Sequence, residues 1–142
     1  MNKILIVNAN YYRDISKNLI TSAKSELTKN KVVIHLINVP GIFEIPFTIK
    51  KYLKKYDAFL ALGCVIKGKT PHFDFICKSV FDSILDISII SSKPITNGII
   101  TALNMKQALE RSSNSKDPFK NNKGKEASKA VISLLKNEPK KF

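Results

Sequence analysis

The stretch DAFLALGCV, residues 57–65, decides the fold of this chain. After Asp57 it is almost entirely apolar and does not alternate with polar side chains. Continuous apolarity is typical of a parallel strand covered on both faces, whereas a strand with one wet face alternates. The stretch therefore predicts a buried strand of a parallel sheet.

Outward from this strand, strand-like and helix-like segments alternate. The apolar runs Lys3–Val7, Val32–Val39 and Pro94–Ile100 predict three more strands. Apolar residues at helical spacing predict a helix that begins at Asp14 and helices over Ile45–Lys55, Met105–Ser112 and Lys123–Lys136. Thr70 and Pro71 predict the N-cap and the first residue of a further helix that extends to about Ser91. Residues Ser113–Asn121 are predicted to form a polar loop. This alternation specifies an open parallel α/β sheet.

Length and composition narrow the class of protein. With 142 residues, the chain has the usual size of one hydrophobic core, so we expect a single domain over residues 1–142. The 44% hydrophobic and 25% charged content excludes a disordered tail and a fibrous protein.

Compartment and cysteine chemistry follow from local patterns. The longest apolar runs, Ala58–Val65 and Ile84–Ile90, are too short to cross a bilayer. Residues Met1–Leu5 lack the pattern of a charged leader ahead of a cleavable apolar segment. We therefore expect a cytoplasmic protein. Cys64 and Cys77 stand in apolar surroundings without the spacing of zinc ligands, which predicts small buried side chains and no metal site.

The net charge of +13 raises the hypothesis of a non-catalytic module that binds nucleic acid. The distribution of charge argues against it, because arginine occurs only at Arg13 and Arg111 and the lysines are scattered along the chain. A generally basic, solvated surface is the simpler interpretation. We expect no nucleic-acid partner, and the module remains an alternative.

Parallel sheets bind ligands beyond the carboxyl ends of their strands. The segment GCVIKGKTPHFD (63–74) joins a predicted strand to a predicted helix, where free backbone N–H groups favour an anion such as phosphate. It lacks the GxxxxGK[ST] spacing of a nucleotide-binding P-loop. His72 falls in the first helical turn, where the helix dipole favours a neutral imidazole able to move a proton. An incidental surface histidine is the alternative.

A second strand-to-helix corner carries an aromatic side chain beside a carboxylate. Phe43 and Glu44 suit a planar heterocycle that bears hydroxyl groups, although a simple turn before a helix has the same pattern. The pair Tyr11–Tyr12 offers either a stacking face or an ordinary exposed pair. Arg111, near a helix end, fits bidentate phosphate binding or compensation of the helix dipole.

Four segments, taken together and in order, resemble one enzyme family. They are GIFEIP (41–46), ALGCVIKGKTPHFD (61–74), QALER (107–111) and NKG (122–124). They closely resemble the 6,7-dimethyl-8-ribityllumazine synthase family of riboflavin synthesis, and the likeness covers almost the whole chain. The resemblance favours the site interpretations of His72 and Glu44 over the simpler ones.

The resemblance implies a flavodoxin-like three-layer α/β/α fold with a four-stranded parallel sheet. It implies ring-shaped homopentamers whose active sites are shared by neighbouring subunits. The reaction it implies condenses 5-amino-6-(D-ribitylamino)uracil with 3,4-dihydroxy-2-butanone 4-phosphate, releasing phosphate and water. No metal or organic cofactor is implied.

The resemblance also assigns roles to positions of this sequence. His72 matches the proton-transfer residue, and Lys123 matches a supporting basic residue. Residues matched to the ribitylaminouracil are Tyr11, Ile42, Phe43, Glu44, Cys64, Val65, Ile66 and Asn97. Those matched to the butanone phosphate are Lys69, Thr70 and Arg111, the last reaching in from the neighbouring subunit.

Some positions depart from the family pattern. Lys67, Tyr12 and Asn97 stand where arginine, asparagine and phenylalanine are usual. The connection between Arg111 and Lys123 is longer than in members that form cages, and the chain begins at the first strand, so we expect a free pentamer. Two further alternatives to a lumazine synthase are another enzyme, an archaeal-type riboflavin synthase, and a non-enzymatic flavin carrier of the flavodoxin type.

Overall fold

The computed structural model describes residues 1–117 and 119–142. Its elements are β1 (Asn2–Ala9), α1 (Arg13–Leu27), β2 (Val32–Val39), a 3₁₀ turn (Ile42–Glu44), α2 (Ile45–Tyr52), β3 (Ala58–Ile66), α3 (His72–Ser91), β4 (Ile95–Ala102), α4 (Met105–Arg111) and α5 (Lys123–Lys136). No helix in this described part of the chain has both the length and the apolar character that crossing a membrane requires.

The four strands form one parallel sheet in the order β2-β1-β3-β4. Strands β1 and β3 are central, and the first seven residues of β3 are all buried. The sheet has one hydrophobic core on each face, and successive β3 residues such as Phe59 and Leu60 point into opposite cores. Helices α1 and α5 cover one face, while α2 and α3 cover the other. The predicted three-layer α/β/α fold with a four-stranded parallel sheet is confirmed.

The structure corrects the predicted end of α2, which extended to Lys55 but ends at Tyr52. The lysine pattern continues past Tyr52, but a residue remote in sequence takes the backbone carbonyls there. Lys93 Nζ donates to the carbonyl oxygens of Leu53 at 2.5 Å and Tyr56 at 2.9 Å. These contacts satisfy carbonyls just beyond the helix end, and periodicity alone does not encode a partner so remote in sequence.

Helix α3 also begins one residue later than predicted. Pro71 precedes the helix, its carbonyl accepting from the Phe75 N–H at 3.3 Å, and the first helical residue is His72. The Thr70 hydroxyl still accepts a long hydrogen bond from the His72 N–H, at 3.4 Å. The threonine thus contacts the helix start as expected, from one position further out.

Two other local predictions have clear outcomes. Helix α5 has the predicted bounds, and both cysteines, Cys64 and Cys77, are free and buried as expected. The predicted polar loop Ser113–Asn121 includes Pro118, which lies outside the described residues.

Helices α1 and α5 pack closely enough to require a glycine. A Cβ atom on Gly124 would collide with the carbonyl oxygen of Leu19 in α1. Ser128, one turn later in α5, donates to the Gly124 carbonyl at 2.7 Å and is itself fully buried. The contact fixes the start of α5, and with it the position of Lys123.

We predict that Gly124→Ala lowers the free energy of unfolding by about 1–3 kcal/mol, because the collision with backbone costs more than the ~1 kcal/mol that alanine adds in helix propensity. Urea denaturation measures the loss. Gly68→Ala is the matched control, since a Cβ there would meet nothing within 4 Å. Equal stability of the two variants would contradict the close α1–α5 contact.

Candidate active site

The candidate site starts at a glycine in β3. A Cβ atom on Gly63 would lie 3.0 Å from the Ala9 Cβ at the end of β1 and 3.0 Å from Ile42 Cγ2 in the 3₁₀ turn. The absence of a side chain therefore lets both segments lie directly on β3. The carboxyl ends of β1 and β3 and the turn after β2 meet here, as the sheet topology predicts.

The 3₁₀ turn is anchored on one side and open on the other. Ile42 is buried, whereas the neighbouring Phe43 side chain is 67% exposed. The Glu44 carbonyl accepts from the Thr48 hydroxyl at 2.8 Å, and the Glu44 carboxylate folds back so that Oε1 lies 3.6 Å from the Cβ position of Gly41. The turn thus presents a flat apolar ring next to a carboxylate acceptor.

The segment after β1 presents a second aromatic face. The Tyr11 ring is 74% exposed, and Tyr12 beside it is half-buried against the core that contains Cys64. The two rings are edge-to-face, with centroids 4.9 Å apart and planes at 77°. Burial raises the pKa of the Tyr12 phenol above its ordinary value, and Coulombic repulsion from the ionised forms of Cys64 and Tyr11 adds to this effect.

The end of β3 forms the floor of the region. Cys64 is 7% exposed, and burial raises the pKa of its thiol to about 12. The thiol therefore stays protonated near neutral pH and does not act as a thiolate nucleophile. Val65 and Ile66 are half-buried, and the Lys67 N–H continues the strand pairing by donating to the Ala102 carbonyl at 2.9 Å.

Beyond β3, a short exposed loop leads into α3. Lys67, Lys69 and Thr70 are exposed, and so is His72 at the first position of the helix. The lysines lie close in sequence to the N-terminus of a 20-residue helix, whose dipole is positive at that end. The region suits an anionic group beside an imidazole that solvent and ligands can reach.

Arg111 and Lys123 belong to a different part of the chain. An antiparallel bridge joins Ser112 to Asn122, so the two cations flank the same pair of backbone segments. Arg111 Nη1 donates to the Gln107 carbonyl at 3.4 Å, and Lys123 forms an ion pair with Glu126 at 3.2 Å. The fold therefore brings the backbone of the predicted phosphate ligand Arg111 next to that of the predicted supporting cation Lys123.

The structure does not bring Asn97 to the end of β3 within one chain. Asn97 pairs with Ala61, three residues before Cys64, which corresponds to about 10 Å along the strand. Its side-chain oxygen accepts from the Ile99 N–H at 2.9 Å on the edge strand β4. In a single chain the predicted residues thus form one group around β3, a pair at the α4–α5 connection, and Asn97 apart from both.

Two residues gain significance only in the structure. Gly63 is inside the segment that the sequence singled out, but its role as the contact point of three segments depends on distances to Ala9 and Ile42. Tyr12 is a departure from the family pattern, yet it contacts both the Tyr11 ring and the core at Cys64. A tyrosine pair directly after a strand was the available signal.

Comparison with known proteins agrees with this geometry. The sequence model of the family described as 6,7-dimethyl-8-ribityllumazine synthase matches residues 1–138. A protein of that name from Vesicomyosocius okutanii is 38% identical, with 94% of this chain and 83% of that protein covered. Others come from Limosilactobacillus reuteri, 41% identical over 77% of this chain and 74% of that protein, and Paramagnetospirillum magneticum, 34% identical over 95% and 93%. The chain therefore belongs to the 6,7-dimethyl-8-ribityllumazine synthase family.

Proposed function

We propose that this chain condenses 5-amino-6-(D-ribitylamino)uracil with 3,4-dihydroxy-2-butanone 4-phosphate to give 6,7-dimethyl-8-ribityllumazine, phosphate and water. The observation that carries the proposal is the meeting of the 3₁₀ turn, the end of β1 and the end of β3 at Gly63 in a chain of this family. Family membership does not favour the alternatives of an archaeal-type riboflavin synthase or a nucleic-acid-binding module.

The ribitylaminouracil fits the group around β3. Tyr11 and Phe43 offer exposed rings for the flat pyrimidine, and Glu44 offers a carboxylate for the ribityl hydroxyls. Ile42 holds the turn in place, while Cys64, Val65 and Ile66 supply the strand end against which the heterocycle lies.

The chemistry requires proton transfers and close positioning. Amine attack on the ketone, imine formation, phosphate elimination and ring closure all move protons, and His72 is the imidazole assigned to them. Such a group contributes ~10²–10⁴-fold in rate. Holding the two substrates face to face contributes more, since effective molarities reach ~10⁵–10⁸ M. The neutral thiol of Cys64 fits a path without a covalent intermediate.

The phosphate side is completed by a neighbouring subunit in this proposal. Lys69 and Thr70 lie on the loop before α3, whereas Arg111 and Lys123 lie at the α4–α5 connection of the same chain. A ring of chains lets the cations of one subunit face His72 and the loop before α3 of the next. The active unit is then a homopentamer of single-domain chains.

An exposed apolar surface supports this assembly. The large apolar side chains that α2 and α3 leave at least 60% exposed are Phe47, Phe75, Leu85, Ile89 and Ile90. Large apolar side chains left this exposed on two neighbouring helices favour a protein contact on that side of the sheet. We place the enzyme in the cytoplasm, which its two free cysteines support because disulfides are rare in that compartment.

We predict that His72→Ala lowers kcat for lumazine formation by about 10- to 100-fold, at or below the ~10²–10⁴-fold range of general acid–base catalysis, because water reaches this exposed position and can replace part of the proton transfer. Stopped-flow absorbance with phosphate detection measures the rate. The dissociation constant for ribitylaminouracil should stay within about twofold of the original. An equal loss in binding of both substrates would remove His72 from the proton-transfer role.

Arg111→Ala should act on the other substrate. We expect KM for the butanone phosphate to rise about 10-fold or more, because a charge-assisted bidentate contact is lost, with little change in KM for ribitylaminouracil. Arg111→Lys should recover only part of the loss. Lys106→Ala, which removes an exposed cation from the same helix, is the control and should leave both KM values unchanged.

Sedimentation of the purified chain tests the assembly. Five chains of 15.9 kDa predict a particle of about 80 kDa. Ile89→Glu places a charge on the α3 surface and should shift the mass toward smaller species, whereas Leu134→Glu, at a similarly exposed position of α5, should not. A particle near a megadalton, or Ile89→Glu with unchanged mass, would contradict the proposed ring.

A further inference from the structure

Tyr12 stands at a position where asparagine is usual in the family, so the family pattern assigns no role to its aromatic ring. We propose that Tyr12 is a positioning residue that fixes the orientation of the Tyr11 ring for stacking on the pyrimidine. This inference rests on the proposed function. It is carried by the contact between the two rings and by the way the backbone on both sides of Tyr11 is held.

The backbone around Tyr11 is fixed by three hydrogen bonds. The Asn10 N–H donates to the Val39 carbonyl at 3.1 Å, and the Ser16 hydroxyl donates to the Ala9 carbonyl at 3.0 Å. The Tyr12 carbonyl accepts from the Ser16 N–H at 2.9 Å, which starts α1. The orientation of the Tyr11 ring is therefore set by its side-chain torsions and not by movement of the loop.

Tyr12 restricts those torsions from the protein side. The Tyr11 ring is 74% exposed, so the core itself constrains it little. The edge-to-face contact with Tyr12, at 4.9 Å between centroids, falls within the favourable range for aromatic pairs. Tyr12 in turn is half-buried and packed against the core that includes Cys64. A ring anchored in the core thus supports a ring that faces solvent.

The expected benefit is preorganisation. A side chain already held in its binding orientation loses less conformational freedom when the ligand stacks on it. The contact should therefore affect binding of ribitylaminouracil and leave the proton-transfer steps and the phosphate contacts unchanged. This separates it from a general effect on the fold.

The test uses the full chain with three substitutions at one position. Tyr12→Leu keeps apolar volume against the core, Tyr12→Phe keeps the aromatic edge, and Tyr12→Ala removes both. We expect Tyr12→Leu and Tyr12→Ala to raise KM and the dissociation constant for ribitylaminouracil about 3- to 10-fold. Tyr12→Phe should keep KM and the dissociation constant for ribitylaminouracil at the values of the unmodified chain. The kcat and the KM for the butanone phosphate should change less than twofold.

A double-mutant cycle with Tyr11→Ala decides whether Tyr12 acts through Tyr11. In the Tyr11→Ala background, Tyr12→Leu should have no further effect on the dissociation constant. Equal effects of Tyr12→Leu in both backgrounds, or no rescue by Tyr12→Phe, would overturn the inference. Failure of the unmodified chain to form lumazine from the two substrates would instead overturn the proposed function, so the two failures are distinguishable.

Discussion

Gly63 lies where three segments of the chain converge, and the close contact there is the constraint on which the site depends. A Cβ atom at residue 63 would lie only 3.0 Å from the Ala9 Cβ and 3.0 Å from Ile42 Cγ2. This contact holds the end of β1 and the 3₁₀ turn against β3, which places Tyr11, Phe43 and Glu44 around one strand end. A larger residue there would require Ala9 or Ile42 to shift by a few tenths of an ångström, next to the segments that carry Tyr11, Phe43 and Glu44.

Burial of the sheet also determines which groups remain available for chemistry. Both faces of β3 are covered, so Cys64 is desolvated and its thiol pKa is raised to about 12. The ionisable groups that solvent and ligands can reach are then those at the exposed rim, among them the imidazole of His72 and the lysines of the loop before α3. A site of this kind relies on proton transfer and positioning, which is what the proposed condensation needs.

The separation of the predicted site residues within one chain supports the proposal of a site shared between subunits. The pair Arg111 and Lys123 is organised by the Ser112–Asn122 bridge, and Asn97 lies part-way along the edge strand β4. None of these is held by the Gly63 contact. The exposed apolar side chains of α3 offer a surface for the proposed contact between copies, in which the cations of one subunit would complete the site of the next.

The sequence by itself determined the alternation of strands and helices, the burial of β3 and the bounds of α5, because periodicity records which side chains are buried. It also carried the family resemblance. The tertiary structure decided the end of α2, where Lys93 takes two carbonyls, and the start of α3 at His72. It also decided the separation of Asn97 from Cys64 and the contact between Tyr11 and Tyr12. These features depend on strand register, on contacts between residues far apart in sequence and on side-chain torsions. A one-dimensional pattern of burial determines none of these.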